Sequence, residues 1–161
     1  MANKFTNTTA FIKRYGDQVE TEIKNRLKNA GKFASGKLYK SIRHDVKIEK
    51  GRFVLRFFAE DYAKYVDKGV EGAKSKRAGE GGKSIYKFKD KMPPEKPFKS
   101  WLIKKGIPKD KSFAVRRSIY LYGITPTNFF TIPTTRRLKQ FEKGVEENMI
   151  KDINKIVEET Q

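Results

Sequence analysis

Ile42-Arg43-His44-Asp45-Val46-Lys47-Ile48-Glu49, then Lys50-Gly51, then Arg52-Phe53-Val54-Leu55-Arg56-Phe57-Phe58-Ala59 is the stretch that decides the fold class. Its first half alternates Ile42, His44, Val46 and Ile48 against Arg43, Asp45, Lys47 and Glu49. A two-residue period puts the first set on one face of a strand. The second half carries Phe53, Leu55 and Phe57 on one face and Val54, Arg56 and Phe58 on the other. Lys50-Gly51 fits the two-residue turn of a β-hairpin. Because the second strand is apolar on nearly both faces, it is expected to be central and covered.

Helical spacing surrounds the hairpin. Upstream, Phe11, Ile12, Tyr15, Val19, Ile23, Leu27 and Ala30 recur at steps of three and four, which predicts an amphipathic helix over 7–30. Asn7 or Thr8 is its candidate cap, and Gly31 stands where a left-handed residue ends it. Ser35 to Tyr39 reads as a short helical piece. Downstream, Asp61 to Gly69 brings Tyr62, Ala63, Tyr65 and Val66 together. A helix over 96–105 with Phe98, Trp101 and Leu102 inward closes on Gly106. Another over 111–122 has Ser112 as cap, Val115, Ile119 and Tyr122 inward, and Gly123 as terminator. Asn128-Phe129-Phe130 forms an aromatic pin expected to be buried. A last helix is expected to open near Pro133 and to turn Leu138, Phe141, Val145, Met149, Ile153 and Ile156 inward. The expectation is an α+β fold, a small antiparallel sheet packed by long N-terminal and C-terminal helices, as a single domain over 1–161.

Residues 70–92 change character. Gly72, Gly79, Gly81 and Gly82 interrupt regular structure, and residues 68–91 hold eight Lys/Arg against three Asp/Glu. A long basic loop is expected there, with Ser84–Phe88 as a possible third strand on its far side. An acidic partner surface would be its natural dock. Lys74, Arg77, Lys83 and Lys87, with Arg116 and Arg117, are the candidate partner-interface residues.

The chain of 161 residues has no cysteine, so neither a disulfide frame nor a thiolate metal site is available. Residues 1–16 hold no apolar run of the signal-peptide kind, and no apolar run approaches the length of a membrane span. The net charge of +18 is uneven, since residues 32–124 carry +15 of it while residues 125–161 balance to zero. Such a field attracts polyanions without sequence preference. Lysine outnumbers arginine and reads neither bases nor phosphates bidentately, which speaks against sequence-specific DNA recognition.

Catalytic constellations lack parts. The single histidine, His44, sits on a strand and is expected to be structural, and a one-histidine, cysteine-free chain cannot assemble most triads or transition-metal sites. Glu60-Asp61, Glu146-Glu147 and Glu158-Glu159 do not supply the convergent carboxylates of a Mg²⁺ nuclease. Gly79-Glu80-Gly81-Gly82-Lys83-Ser84 ends like a phosphate loop, but position 77 is Arg where that motif needs Gly. Tyr86-Lys87-Phe88-Lys89 resembles a base-stacking platform, but its alternation favours an edge strand. No enzyme and no cofactor are expected.

Three stretches look like one family. Ser35-Gly36-Lys37-Leu38-Tyr39-Lys40-Ser41-Ile42 resembles a T/S-G-x-L-x-x-S-I approach to the first strand. Tyr62-Ala63-Lys64-Tyr65-Val66-Asp67-Lys68-Gly69 resembles Y-A-x-Y-V-E-x-G. Phe113 to Ile119 followed by Gly123-Ile124-Thr125-Pro126-Thr127-Asn128-Phe129-Phe130 resembles A-x-x-I-x-x-x-G-x-x-P-x-P-F. In order and spacing the set is similar to tailed-bacteriophage neck or tail-completion proteins of the lambdoid minor-tail-protein type. Asn128 departs from it, standing where the family has proline, and the 70–92 loop is longer and more basic. The resemblance implies a structural motif of Tyr62, Tyr65, Gly69, Gly123, Pro126, Phe129 and Phe130. It implies a head–tail joining subunit in a homo-oligomeric ring of 6 or 12 copies, with portal or connector and tail proteins as neighbours. Genomic DNA would pass through without specific binding, and no membrane would be involved. The protein would be made in the bacterial host cytoplasm and reside in the virion neck or tail. The alternative is a basic nucleic-acid-binding protein acting through the middle of the chain.

Overall fold

The first helix is held at its start by a residue from the last. The computed structural model describes residues 5–31, 36–49, 52–74 and 84–159. Helix α1 runs Thr6–Asn29, so Asn7 and Thr8 stand inside its first turn and not ahead of it as caps. Backbone N–H groups in a first turn have no acceptor within their own helix. Those of Asn7 and Thr8 donate to the two carboxylate oxygens of Asp152, at 2.9 and 2.8 Å. The Asn7 Nδ2 and Thr8 Oγ1 groups add bonds of 2.9 and 2.7 Å to the same carboxylate. A negative charge there also suits the helix dipole. Burial of Asp152 pushes its pKa up, but the four hydrogen bonds outweigh that and hold the carboxyl below its ordinary range.

The chain divides into two compact units: unit 1 is Met1–Asn25, Ile42–Phe58 and Phe130–Gln161, and unit 2 is Arg26–Ser41 and Ala59–Phe129. In unit 1 the hairpin forms as the alternation predicts. Strand β1, Arg43–Glu49, pairs antiparallel with β2, Arg52–Phe58, from Arg43↔Phe58 to Glu49↔Arg52. That register leaves two residues for the turn, and Lys50 and Gly51 lie outside the described residues. The expectation of a central, covered β2 is corrected: the sheet has two strands, and β2 is partly exposed along its length. Its second apolar face is met by local groups instead of a third strand. The Arg43 guanidinium lies 5.0 Å over the Phe58 ring.

The expected single last helix is two. Helix α6 spans Thr131–Arg136 and holds buried Pro133; α7 spans Leu138–Glu158. Arg137 breaks the run, and its Nε donates to Glu22 Oε2 at 2.9 Å while NH1 donates to Gln18 Oε1 at 3.3 Å. The contacts run antiparallel along α1 and α7. Asn7 and Thr8 meet Asp152, Tyr15 lies 4.6 Å from the Phe141 ring, and Glu22 meets Arg137. The helices approach closely at Gly144, where a Cβ would overlap the Phe11 ring. Turning Asp152 inward turns its neighbours outward. Leu138 and Ile153, expected inside, are exposed, whereas Phe141, Val145, Met149 and Ile156 are partly covered.

Unit 2 is assembled from short pieces: α2 Lys37–Ser41, α3 Ala63–Lys68, β3 Val70–Glu71, α4 Glu95–Lys104, a 3₁₀ turn Lys109–Lys111, α5 Ser112–Tyr122 and β4 Gly123–Ile124. Leu27, Leu38, Val70, Leu102 and Phe129 are its buried apolar residues. Strand β3 pairs antiparallel with β4, Val70↔Ile124 and Glu71↔Gly123. The loop expected over 70–92 is therefore anchored at both ends. Ala73 N–H donates to the Tyr120 carbonyl, and the Glu71 and Phe88 N–H groups exchange bonds with Tyr86 and Glu71 carbonyls. What is left of that loop, 75–83, lies outside the described residues. Ser84–Phe88 contributes only an isolated parallel bridge, Glu71↔Lys87, in place of the expected strand. Ser112 is no side-chain cap; its Oγ is buried without a partner among the described residues. Trp101 and Tyr122, expected inward, are exposed.

Candidate interaction surfaces

The three motif stretches meet in space. Gly69 (φ 69°, ψ −178°) and Gly123 (φ 81°, ψ −170°) occupy a backbone region open essentially to glycine alone. A Cβ on Gly69 would lie 2.5 Å from the Ile124 carbonyl oxygen and 2.8 Å from Pro126 Cδ; one on Gly123 would overlap the Val70 carbonyl. Gly69 thus lets its stretch press on the backbone of the third, and Gly123 lets the third press on the strand Val70–Glu71 that follows the second. Beyond them, Thr127 N–H and Oγ1 donate to the Val66 carbonyl at 3.1 and 2.8 Å, and Asn128 N–H donates to the Asp67 carbonyl at 3.0 Å. Asn128 takes φ 48°, a left-handed conformation closed to proline. The 36–41 stretch joins through Glu60. Its Oε2 accepts from Lys37 Nζ at 2.9 Å, and its N–H donates to Ser41 Oγ at 3.1 Å.

Phe129 is fully buried in unit 2. Phe130 begins the last part of unit 1, where it is partly exposed and sets its edge on the Phe57 ring at 6.0 Å. The pin expected to be buried as a pair is thus one core residue and one boundary residue. Tyr62 and Tyr65 are exposed; Tyr65 packs edge-on against Tyr86 at 4.7 Å.

The basic candidates separate. Lys74, Lys87 and Arg117 are exposed, while Arg77 and Lys83 lie outside the described residues. Arg116 is turned inward, its Nε donating to the Pro93 carbonyl at 2.9 Å and its NH1 lying 3.6 Å from Glu95 Oε2. It ties α5 to the segment that leads into α4. Along 86–89, Tyr86 and Phe88 are partly covered and Lys87 and Lys89 exposed, the pattern of an edge strand.

His44 is held on the inner face of the hairpin. Its Nδ1 lies 2.7 Å from Glu20 Oε2, its backbone N–H donates to the same oxygen at 3.1 Å, and the ring lies against Gly16. Burial pushes the Glu20 pKa up, but hydrogen bonds from Lys24 and His44 outweigh it and keep the carboxyl below its usual range. Among the described residues no group of three or more His, Asp or Glu could hold a metal ion, and no helix is long and apolar enough to cross a membrane.

Asp152 escaped the sequence reading. It lies three residues after Met149 and four before Ile156, an acid at an apolar position of the helical period, and that misfit was the available signal. Also missed was an outward apolar stripe on α7, made of Ile150, Ile153 and Val157, which are 52%, 46% and 53% exposed. In unit 2, Ile103 and Phe113 are 54% and 58% exposed. No family model, no curated protein and no solved structure matches the chain.

Proposed function

We propose that this chain is a structural virion protein: a ring-forming head–tail joining or tail-completion subunit in the neck or tail of a tailed bacteriophage. The observation that carries the reading is the apolar surface exposed on both units, on α4 and α5 and again along α7. Large apolar side chains repeated on helix surfaces of a highly charged protein mark contacts with other chains. The meeting of the motif stretches through Gly69 and Gly123 supports the reading too, because it accounts physically for the residues that carry the family resemblance. The DNA in the channel would meet a lysine-rich surface without base readout.

Purified virions test the reading. Mass spectrometry should detect the protein in mature particles, and antibody labelling should mark the neck or tail. Mature virions that lack it altogether would sink the proposal. A salt-sensitive shift of duplex DNA by free protein, with the virion empty of it, would favour a nucleic-acid-binding protein instead.

A further inference from the structure

The charges beside the two exposed apolar regions are of opposite kinds. On α7, the described residues one helical turn from Ile150, Ile153 and Val157 are Glu146, Glu147, Met149, Asn154 and Ile156, and none is basic. Both glutamates are exposed; Glu147 shares a solvated contact of 3.8 Å with Lys143, the i,i+4 kind of pair worth little. In a chain with 37 Lys/Arg this stripe is a place where a basic surface is not repelled. Residues 95–117 are the reverse, with eight Lys/Arg against two Asp/Glu. Ile103 has the exposed Lys99 one turn away, and Phe113 has Lys109, Arg116 and Arg117 against the single acid Asp110 within a turn.

We propose that the α7 stripe of one copy docks on the α4–α5 segment of a second copy, in a head-to-tail contact. This rests on the ring reading above and names the surfaces that would build the ring. Charge complementarity selects the occupant. Two α7 stripes face to face would set Glu146 and Glu147 against their own kind, and two α4–α5 segments would oppose lysine to lysine. Only the mixed pairing covers both apolar regions and sets opposite charges together. A contact between two different patches leaves each copy with one of each free, so it propagates to a closed ring or a filament.

The absence of cysteine makes the test direct. One set of full-length variants carries Ile150→Cys, Ile153→Cys or Val157→Cys; a second carries Ile103→Cys or Phe113→Cys. Each is oxidised alone and in mixtures of the two sets. A disulfide needs the two Cα atoms within about 7 Å, so a covalent dimer reports the contact. The expected result is dimer in at least one mixture and none in any single variant. Glu146→Lys with Glu147→Lys in the α7 partner should lower its yield roughly tenfold. Dimer from an α7 variant alone would overturn the proposal in favour of a two-fold α7 contact. Higher oligomers in sedimentation without any mixed dimer would overturn it too, while leaving the ring reading intact. Monomer alone with no covalent dimer would count against both.

Discussion

Unit 1 and unit 2 hold themselves together in different ways. Unit 1 pairs two long helices through side chains: the buried carboxylate of Asp152, the tilted ring contact of Tyr15 with Phe141, and the Arg137–Glu22 ion pair. Its charges are close to balanced, with 15 Lys/Arg and 11 Asp/Glu. Unit 2 has 22 Lys/Arg and 8 Asp/Glu and consists of short elements, with backbone pressed on backbone at Gly69 and Gly123. A unit so charged turns few of its basic side chains inward, Arg116 being one, so carbonyl and N–H groups carry much of its cohesion. The lesson is that described parts of a strongly basic region can still pack closely where glycine admits close main-chain contact.

The largest effect that would sharpen this contrast is at Phe129. Phe129→Ala should destabilise by about 3–5 kcal/mol, the range for an aromatic removed from a core. Amide exchange should show the loss first in unit 2, around α3, β3 and β4. Equal loss of protection in α1 and α7 would mean that both units unfold as one body, and the contrast would fail.

Next comes Asp152→Ala, which strands the Asn7 and Thr8 donors and should cost about 2–4 kcal/mol. Its mark should be faster exchange at the start of α1, with β3 and β4 spared. The same group sets an acid limit. Its folded pKa lies below the unfolded value of about 3.9. The stabilisation it gives is therefore complete above that value and lost as pH falls through the folded pKa. Acid unfolding followed by circular dichroism should be shallower in the variant; an unchanged slope below pH ~4 would remove Asp152 from the account.

Gly144→Ala should cost about 1–3 kcal/mol, because its Cβ needs the space of the Phe11 ring. If the melting temperature did not move, α1 and α7 would be less closely packed than described. The smallest effect is expected at the exposed bases of unit 2. Lys74→Ser with Lys87→Ser should stay within about 0.5 kcal/mol of the parent. A larger loss on thermal melting would mean that those lysines hold the fold.

Much of the architecture was legible in order. The alternation of 42–59 specified the hairpin, the three-and-four spacing specified α1, and Gly31, Gly106 and Gly123 lie at helix ends with positive φ as their positions suggested. The errors share a cause. A period identifies an apolar face without saying what covers it, so β2 was expected to be central and Ile153 to be inside. Local rules likewise named Asn7, Thr8 and Ser112 as caps, whereas the group serving α1 comes from a residue 144 positions away. For the candidate surfaces, charge counting located the basic middle of the chain, but it could not distinguish Arg117, which faces solvent, from Arg116, which ties α5 inward.

By itself the amino-acid order determined most of the element types, the excess of positive charge and the lack of cysteine, because each depends on residues near one another or on composition. Only the tertiary structure decided that a buried aspartate would close the first helix, that the last helix would break at Arg137, and that Gly69 and Gly123 would bring two distant motif stretches together. The physical reason is reach. Backbone preference and hydrophobic period act over a few residues, whereas the partner of a buried charge, or the neighbour that leaves no room for a Cβ, is set by where the chain returns after a hundred.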